Sequence, residues 1–381
     1  MNNIMRNLKG IYIHIPFCKY ICTYCNFNKF YIQNQPVDEY IDCLVKEIDN
    51  IGNYDDIITI YIGGGTPSSL SFSQIIKLLE IIKKNINIDN IKEYTFEANP
   101  EDLTIEKIKI LKKYGVNRVS IGVQTLNEDI LKSIGRGHSK KDVDNAVKNL
   151  KKVGINNINI DLMFSLPNQT MLDLKKSIIE ILSYDISHIS CYSLILEQRT
   201  KLYNQVKKNK IILPDNEVEL NMYKYVIKTL SENGFNQYEI SNFSKKGFES
   251  IHNTNYWRNM EYYGVGAGAH GYINGVRYRN IASVKFYIDE INKKNNAIIE
   301  KNKLTLKEKV EEEFFLGLRL LKGVNLDNID EKYHIDCRKI YNETIFKHLS
   351  NGNLVLKDSI LKFEYKGLFN GNDVFSDFII L

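Results

Sequence analysis

Ile11-Tyr-Ile-His-Ile-Pro-Phe17, followed at once by Cys18-Lys-Tyr-Ile-Cys22-Thr-Tyr-Cys25, sets three thiols on the loop behind a β-branched, aromatic run. Such a run reads as a strand, and the spacing C-x3-C-x2-C then delivers three cysteines at its C-terminal end. Three soft thiolates gathered on one loop can ligate three irons of a cubane and leave the fourth iron open to a chelating ligand. Zinc is the competing reading, with His14 as a fourth ligand, but His14 lies inside the strand. Cys43, Cys191 and Cys337 are isolated in apolar or helical stretches and read as small buried hydrophobes.

The same strand signature recurs along the chain. Strands are expected at 58–62, 93–98, 118–123, 155–164, 186–196 and 237–243, with helical periodicity at 36–51, 73–84, 104–114, 140–153, 171–182 and 216–233 between them. Gly115, Gly154 and Gly234 stand where helices should stop. Strand then helix, about six times over, predicts a parallel sheet covered by helices. The unusual residues fall at successive strand ends: the cysteines after the first, Gly63 to Thr66 after the second, Glu97 and Asn99 at the third, Gln124 at the fourth, Asp161 in the fifth. Chemistry drawn from many strand ends is the barrel arrangement. The expected fold class is therefore α/β, a partial parallel (β/α)6 TIM-like barrel over residues 1–280. A small helical, winged-helix-like domain is expected over 281–381, from helices at 283–293, 305–321 and 326–350 and the alternating segment 354–365.

Composition narrows the class. The 381 residues carry 51 basic and 46 acidic side chains, net +5, with the lysines scattered. No basic run is long enough for a polyanion site, and the 340–349 helix offers only Lys347 against Glu343, so no nucleic-acid partner is expected. The polar start and the interruptions at His14, Pro16 and Lys19 exclude a signal-peptide core, and no apolar stretch is long enough to span a bilayer. A cytoplasmic location is expected, where cysteines remain thiols unless metal holds them.

Further motifs follow in order: Gly63-Gly-Gly-Thr-Pro67, Glu97-Ala-Asn-Pro100, Ser120-Ile-Gly-Val-Gln124, Gly135-Arg-Gly-His138, Asp161-Leu-Met-Phe-Ser-Leu-Pro167 and His252-Asn-Thr-Asn-Tyr-Trp257. With the cysteine triplet they make residues 8 to 325 resemble the radical S-adenosylmethionine (SAM) superfamily. Within it, the resemblance is to the group of oxygen-independent coproporphyrinogen III oxidases (HemN) and HemW-type haem chaperones. The resemblance implies a [4Fe-4S] cluster on Cys18, Cys22 and Cys25. It implies SAM held by Gly64, Gly65, Thr66 and Glu97, with Tyr12 and Tyr24 flanking cluster and nucleoside and Gln124, Arg136 and Asp161 lining the same space. Two functions stay open under it, radical decarboxylation of coproporphyrinogen III and haem delivery to apoproteins, respiratory membrane proteins among the candidate acceptors. Phe27 stands where the oxidases carry a fourth cysteine, and the 17 residues before Cys18 leave no room for the oxidases' N-terminal extension. Both departures resemble the chaperones, as does the 252–257 motif, which implies haem ligation by the His252 imidazole. A homodimer is left open.

Gly264-Val-Gly-Ala-Gly-Ala-His-Gly271 looks like a dinucleotide fingerprint, but a turn and strand are expected after it, where that site needs a helix. These glycines are expected to serve close backbone packing.

Overall fold

The computed structural model describes residues 9–52 and 54–379; the polar start ahead of residue 9 lies outside them. Six strand–helix units lead. They are β1 (Lys9–Ile15) and α1 (Val37–Ile51), β2 (Ile57–Gly64) and α2 (Phe72–Asn85), and β3 (Glu93–Ala98) and α3 (Ile105–Lys113). Then come β4 (Arg118–Gln124) and α4 (Lys140–Val153), β5 (Asn157–Phe164) and α5 (Met171–Leu182), and β6 (His188–Ser193) and α6 (Asn216–Glu232). All six strands pair in parallel and in chain order, as the alternation predicts. Capping fixes the helix ends: Ser71, Ser139 and Thr170 form capping boxes, while Gly115, Gly154 and Gly234 take left-handed φ of 97°, 87° and 80°.

The predicted strand at 237–243 is instead a hairpin, β7 (Asn236–Glu239) against β8 (Asn242–Ser244). A register shift breaks the pairing, so an alternating run that reads as one strand turns back on itself. After helix α7 (Ile251–Trp257), strand β9 (Tyr262–Val265) lies parallel to β1 on its free flank. Three antiparallel strands extend that side: β10 (His270–Ile273), β11 (Val276–Asn280) and β12 (Ile298–Lys303). The sheet therefore runs β12-β11-β10-β9-β1-β2-β3-β4-β5-β6-β8-β7, and among the described residues no pairing joins its two ends. The turn and strand expected after the 264–271 glycines are present, so the dinucleotide site is absent there.

The sheet has two unlike faces. Ile11, Ile13 and Ile15, Ile60 and Ile62, Phe96, Val119 and Ile121, Ile158 and Ile160 turn outward under Ile41, Leu44, Leu79, Ile108, Leu150, Ile178 and Val226 of the helices in one core. At roughly 1.5–3 kcal/mol for each large apolar side chain buried, this shell supplies most of the fold's driving force. The intervening strand positions face the lumen and carry polar groups, Thr59, Thr95 and Glu97, Ser120, Asn159 and Asp161 among them. Fully covered parallel sheets usually read as apolar on both faces, so the polar lumen marks where stability gives way to binding.

Helix α8 (Val284–Lys294) contributes Val284, Tyr287 and Ile291 to the same core. A second core begins at Val310 and joins Phe314, Leu326, Ile345, Leu361 and Phe378. It lies among the helices Leu306–Gly317, Leu326–Tyr333, Cys337–Ile340, Asn342–Ser350 and Gly371–Asp377, and the three-stranded sheet of β13 (Val324–Asn325), β14 (Leu354–Lys357) and β15 (Ile360–Phe363). The predicted terminal hairpin is β14–β15, turned by Asp358 and Ser359 at φ of 49° and 64°.

Candidate functional site

The cysteine loop is built by a short ladder. Phe17–Cys18 pairs with Phe30–Tyr31, so the chain leaves β1, loops through Cys22 and Cys25 and returns beside itself. Thr23 N donates to Ile134 O at 2.9 Å and pins the middle of the loop to the segment before Arg136. On the facing side, Gly65 N donates to Ile15 O and Thr66 N to Phe17 O, both at 2.8 Å. A Cβ on Gly65 would lie 3.0 Å from Cys18 Sγ and 2.9 Å from Phe17 N, so only glycine permits this approach. Thr66 Oγ1 donates to Cys18 Sγ at 3.4 Å.

A cavity of about 320 Å³ opens from this loop into the lumen. Its walls bring together Cys18, Cys22, Cys25, Tyr24, Gly64, Gly65, Thr66, Glu97, Gln124, Arg136 and Asp161. Residues from the cysteine loop and the ends of strands β2 to β5 thus share one space, the barrel-end arrangement that the strand-end pattern implies.

Glu97 lines it from the end of β3. Tyr61 OH donates to Oε1 at 2.6 Å and Gly64 N donates to Oε2 at 3.0 Å. Burial, with the nearby Asp161 carboxylate adding to it against those two donors, pushes the Glu97 carboxyl up to about 7. Asp161 is likewise pushed up by burial; it accepts from Ser120 Oγ at 3.1 Å and Asn159 Nδ2 at 2.7 Å. Arg136 Nη1 donates to Asn99 Oδ1 at 2.7 Å while its Nε has no partner among the described residues. Gln124 ends β4 at φ 67° and accepts from Tyr192 OH at 3.3 Å. Asp161 is therefore no loop cap and Arg136 no surface cation.

Two expected residues lie elsewhere. Tyr12 OH bonds His14 Nδ1 at 2.8 Å and its ring lines a neighbouring pocket. His252 is 1% exposed, with Nδ1 2.8 Å from Thr59 Oγ1 and Nε2 2.8 Å from Tyr256 OH. Burial, then the Arg118 charge, lowers its pKa to about 3, so the ring is neutral with both nitrogens engaged. Glu93 holds this helix: it accepts from Ser250 Oγ, Ile251 N and His252 N at 3.0, 2.7 and 3.1 Å. His14 also has no nitrogen to spare, because its Nε2 meets Asn28 O at 2.8 Å. That removes the fourth ligand of the zinc reading.

The motifs do not reveal the lumen residues Tyr61, Arg118, Asn159, Ser190 and Tyr192, which line the same cavity. Arg118 is 1% exposed, and its Nε has no partner among the described residues. Polar residues two apart in otherwise apolar strands, Arg118 and Ser120 or Asn159 and Asp161, are the signal that could have found them.

Comparison with known proteins fits this geometry. The Radical SAM superfamily pattern matches residues 12–180 and the HemN C-terminal domain matches 304–369. Heme chaperone HemW of Bacillus subtilis is 45% identical over 98% of this chain and 99% of its own length. Heme chaperone HemW of Lactococcus lactis is 42% identical over 99% of both. The chain belongs to the HemW family. Coproporphyrinogen III oxidase (HemN) of Escherichia coli, a solved structure 20% identical, superposes with a TM-score of 0.86 over 99% of this chain and 91% of that one, and so shares the fold.

Membership of HemW within the radical SAM superfamily implies a [4Fe-4S] cluster and SAM, and the donor set fits both. Among the described residues no three His, Cys, Asp or Glu side chains converge on one ion position. A cubane does not require that, because each thiolate binds a different iron. Burial pushes the Cys18 thiol up to about 11 and raises Cys25 also, so thiolates form here when a metal replaces the protons. No described helix is long and apolar enough to cross a membrane.

Proposed function

We propose that this chain is a haem chaperone that holds a [4Fe-4S] cluster on Cys18, Cys22 and Cys25, binds SAM in the lumen cavity, and carries haem to apoproteins. The observation that carries the reading is the near-full-length likeness to proteins named as heme chaperones. Phe27 supports it, standing 67% exposed at the cavity mouth where the oxidases place a fourth cysteine. Gly64, Gly65 and Thr66 present backbone to the ligand, Glu97 receives its cationic groups, and Gln124, Arg136 and Asp161 close the far wall. The cluster's open iron supplies a chelating position for the ligand's amino and carboxyl groups. His252 orients Tyr256 in this conformation; to ligate iron it must first leave Thr59 and Tyr256. Of the expected 281–381 unit, α8 and β12 join the barrel's core and sheet, and the smaller unit is built around the core that begins at Val310. A cytoplasmic site of action, respiratory membrane proteins as acceptors and a homodimer belong to the same reading.

Anaerobic reconstitution followed by haem titration and a coproporphyrinogen III assay tests it. A saturable Soret band without vinyl products is expected. Vinyl products formed at enzymatic rates would overturn the chaperone assignment.

A further inference from the structure

Asp161, in the wall of the lumen cavity, is joined to the start of α7 by an unbroken line of hydrogen-bonded side chains. Asn159 Nδ2 donates to Asp161 Oδ1 and to Ser120 Oγ, both at 2.7 Å, and its Oδ1 lies 2.5 Å from His188 Nδ1. His188 is wholly buried, with Nε2 2.8 Å from Tyr238 OH. Tyr238 OH accepts from the backbone N of Ser250, the residue that caps α7, at 3.2 Å. A second line runs beside the first from Arg118, another cavity residue. Its Nη1 donates to Thr95 Oγ1 and Thr95 Oγ1 to Glu93 Oε1, both at 3.4 Å, and Glu93 accepts from Ser250 Oγ, Ile251 N and His252 N.

The first line has a direction. An ionised carboxylate takes only donors, so the Asn159 amide must turn its nitrogen to Asp161 and its oxygen to His188. His188 Nδ1 then carries the ring proton. Burial, with the Arg118 charge adding to it, lowers the His188 pKa well below the ordinary value, so the ring is neutral and Nε2 accepts from Tyr238 OH. Tyr238 thereby gives its hydrogen to His188 and offers its lone pair to Ser250 N. Turning the Asn159 amide over reverses every link: His188 must carry its proton on Nε2, Tyr238 OH accepts from both neighbours, and its own hydrogen has no acceptor in the line. Two discrete arrangements result, and the charge on Asp161 selects between them, because a protonated carboxyl can donate to the turned amide oxygen and an ionised one cannot.

We propose that His188 and Tyr238 are positioning residues that couple the lumen cavity to α7: a cationic ligand that keeps Asp161 ionised fixes the arrangement in which Tyr238 holds Ser250 N. The coupling rests on SAM, a sulfonium cation, binding in the cavity, and it lets the 252–257 helix respond to whether the cavity is filled. Helix α7 suits that part. It is seven residues long, too short to stand alone, and its start is held by side chains remote in sequence. It ends on Trp257, the one tryptophan of the chain, whose ring lies 4.3 Å from the Arg319 guanidinium.

Amide hydrogen exchange over residues 250–257 and Trp257 fluorescence anisotropy, each with and without SAM on the reconstituted full chain, test it. SAM should slow exchange at the start of α7 by about fivefold or more, the scale of a modest coupling between sites. Tyr238→Phe removes the hydroxyl that links the line to Ser250 and should lose this response while binding SAM with near-parent affinity. His188→Gln, one link nearer the cavity, should lose the response and weaken SAM binding as well, because Asn159 then lacks the partner that turns it towards Asp161. A merely structural role predicts faster exchange in both variants with the SAM-dependent difference intact. That result would overturn the proposal and route the response through Asn253, which lines the cavity itself. Exchange in the parent that ignores SAM, at saturation shown by equilibrium dialysis, would overturn it equally. If the parent binds no SAM, the cavity reading fails first and this coupling with it.

Discussion

Glu97 should make SAM binding pH-dependent in a way its amide variant lacks. Its carboxyl is pushed up to about 7 by burial beside Asp161, despite donors from Tyr61 and Gly64. A cationic ligand draws out the ionised form, so binding at neutral pH must release a proton. For a group titrating at about 7, the fraction ready to bind falls roughly tenfold between pH 8 and pH 6, equivalent to about 1.4 kcal/mol. At pH 8, Glu97→Gln should weaken SAM binding by about 1.5–3 kcal/mol, the scale of a hydrogen bond to a charged group. At pH 6 that penalty should shrink by about 1.4 kcal/mol. Calorimetry in two buffers of different ionisation enthalpy reads the proton count directly. The amino group of SAM titrates alike on both proteins, so the difference between parent and variant isolates Glu97. The ligand-free protein gives a second reading. A carboxyl whose folded pKa is raised stabilises fully below the unfolded value of 4.5 and loses that stability as pH rises through about 7. Over those 2.5 units the loss is about 3 kcal/mol, so Glu97→Gln should gain on the parent at pH 8. Equal pH dependence of SAM affinity in parent and variant would refute the argument.

Replacing Cys18, Cys22 or Cys25 with Ala should abolish bound iron and sulfide, whereas Cys43→Ala, Cys191→Ala and Cys337→Ala should retain them; cluster loss in the second set and retention in the first would reverse the assignment. Glu93→Gln weakens the acceptor at the start of α7 and should cost about 1–3 kcal/mol in urea unfolding; a cost below about 0.5 kcal/mol would show that the helix needs no such anchor. Burial lowers the His138 pKa to about 4, so its contribution is present above the ordinary value of 6.5 and lost as pH falls towards 4. His138→Gln should therefore flatten the acid limb of the stability curve by about 1.4 kcal/mol per pH unit between pH 6 and pH 4.5.

The legible and illegible parts of this chain divide along one physical line, the sequence distance over which a residue's role is decided. The six strand–helix units are written locally, in β-branched runs, caps such as Ser139 and stops such as Gly154, and the sequence predicts them nearly residue for residue. The cysteine loop is legible for the same reason, since its thiols lie within eight residues. Strand β12, Ile-Ile-Glu-Lys-Asn-Lys, has no apolar alternation because it is an exposed edge, and only pairing with β11 makes it a strand. Helix α7 is seven residues of mostly polar character, stabilised by a carboxylate 158 residues away at Glu93. Read as a motif, His252-Asn-Thr-Asn-Tyr-Trp257 points to an iron ligand. Folded, it turns that histidine inward to Thr59 and Tyr256 and sends Tyr256 to the pocket that Tyr12 lines. His270, in a glycine segment whose motif first suggests a nucleotide, stays exposed at the start of β10. A motif names residues that matter together, and only the packing around them says which one faces the ligand.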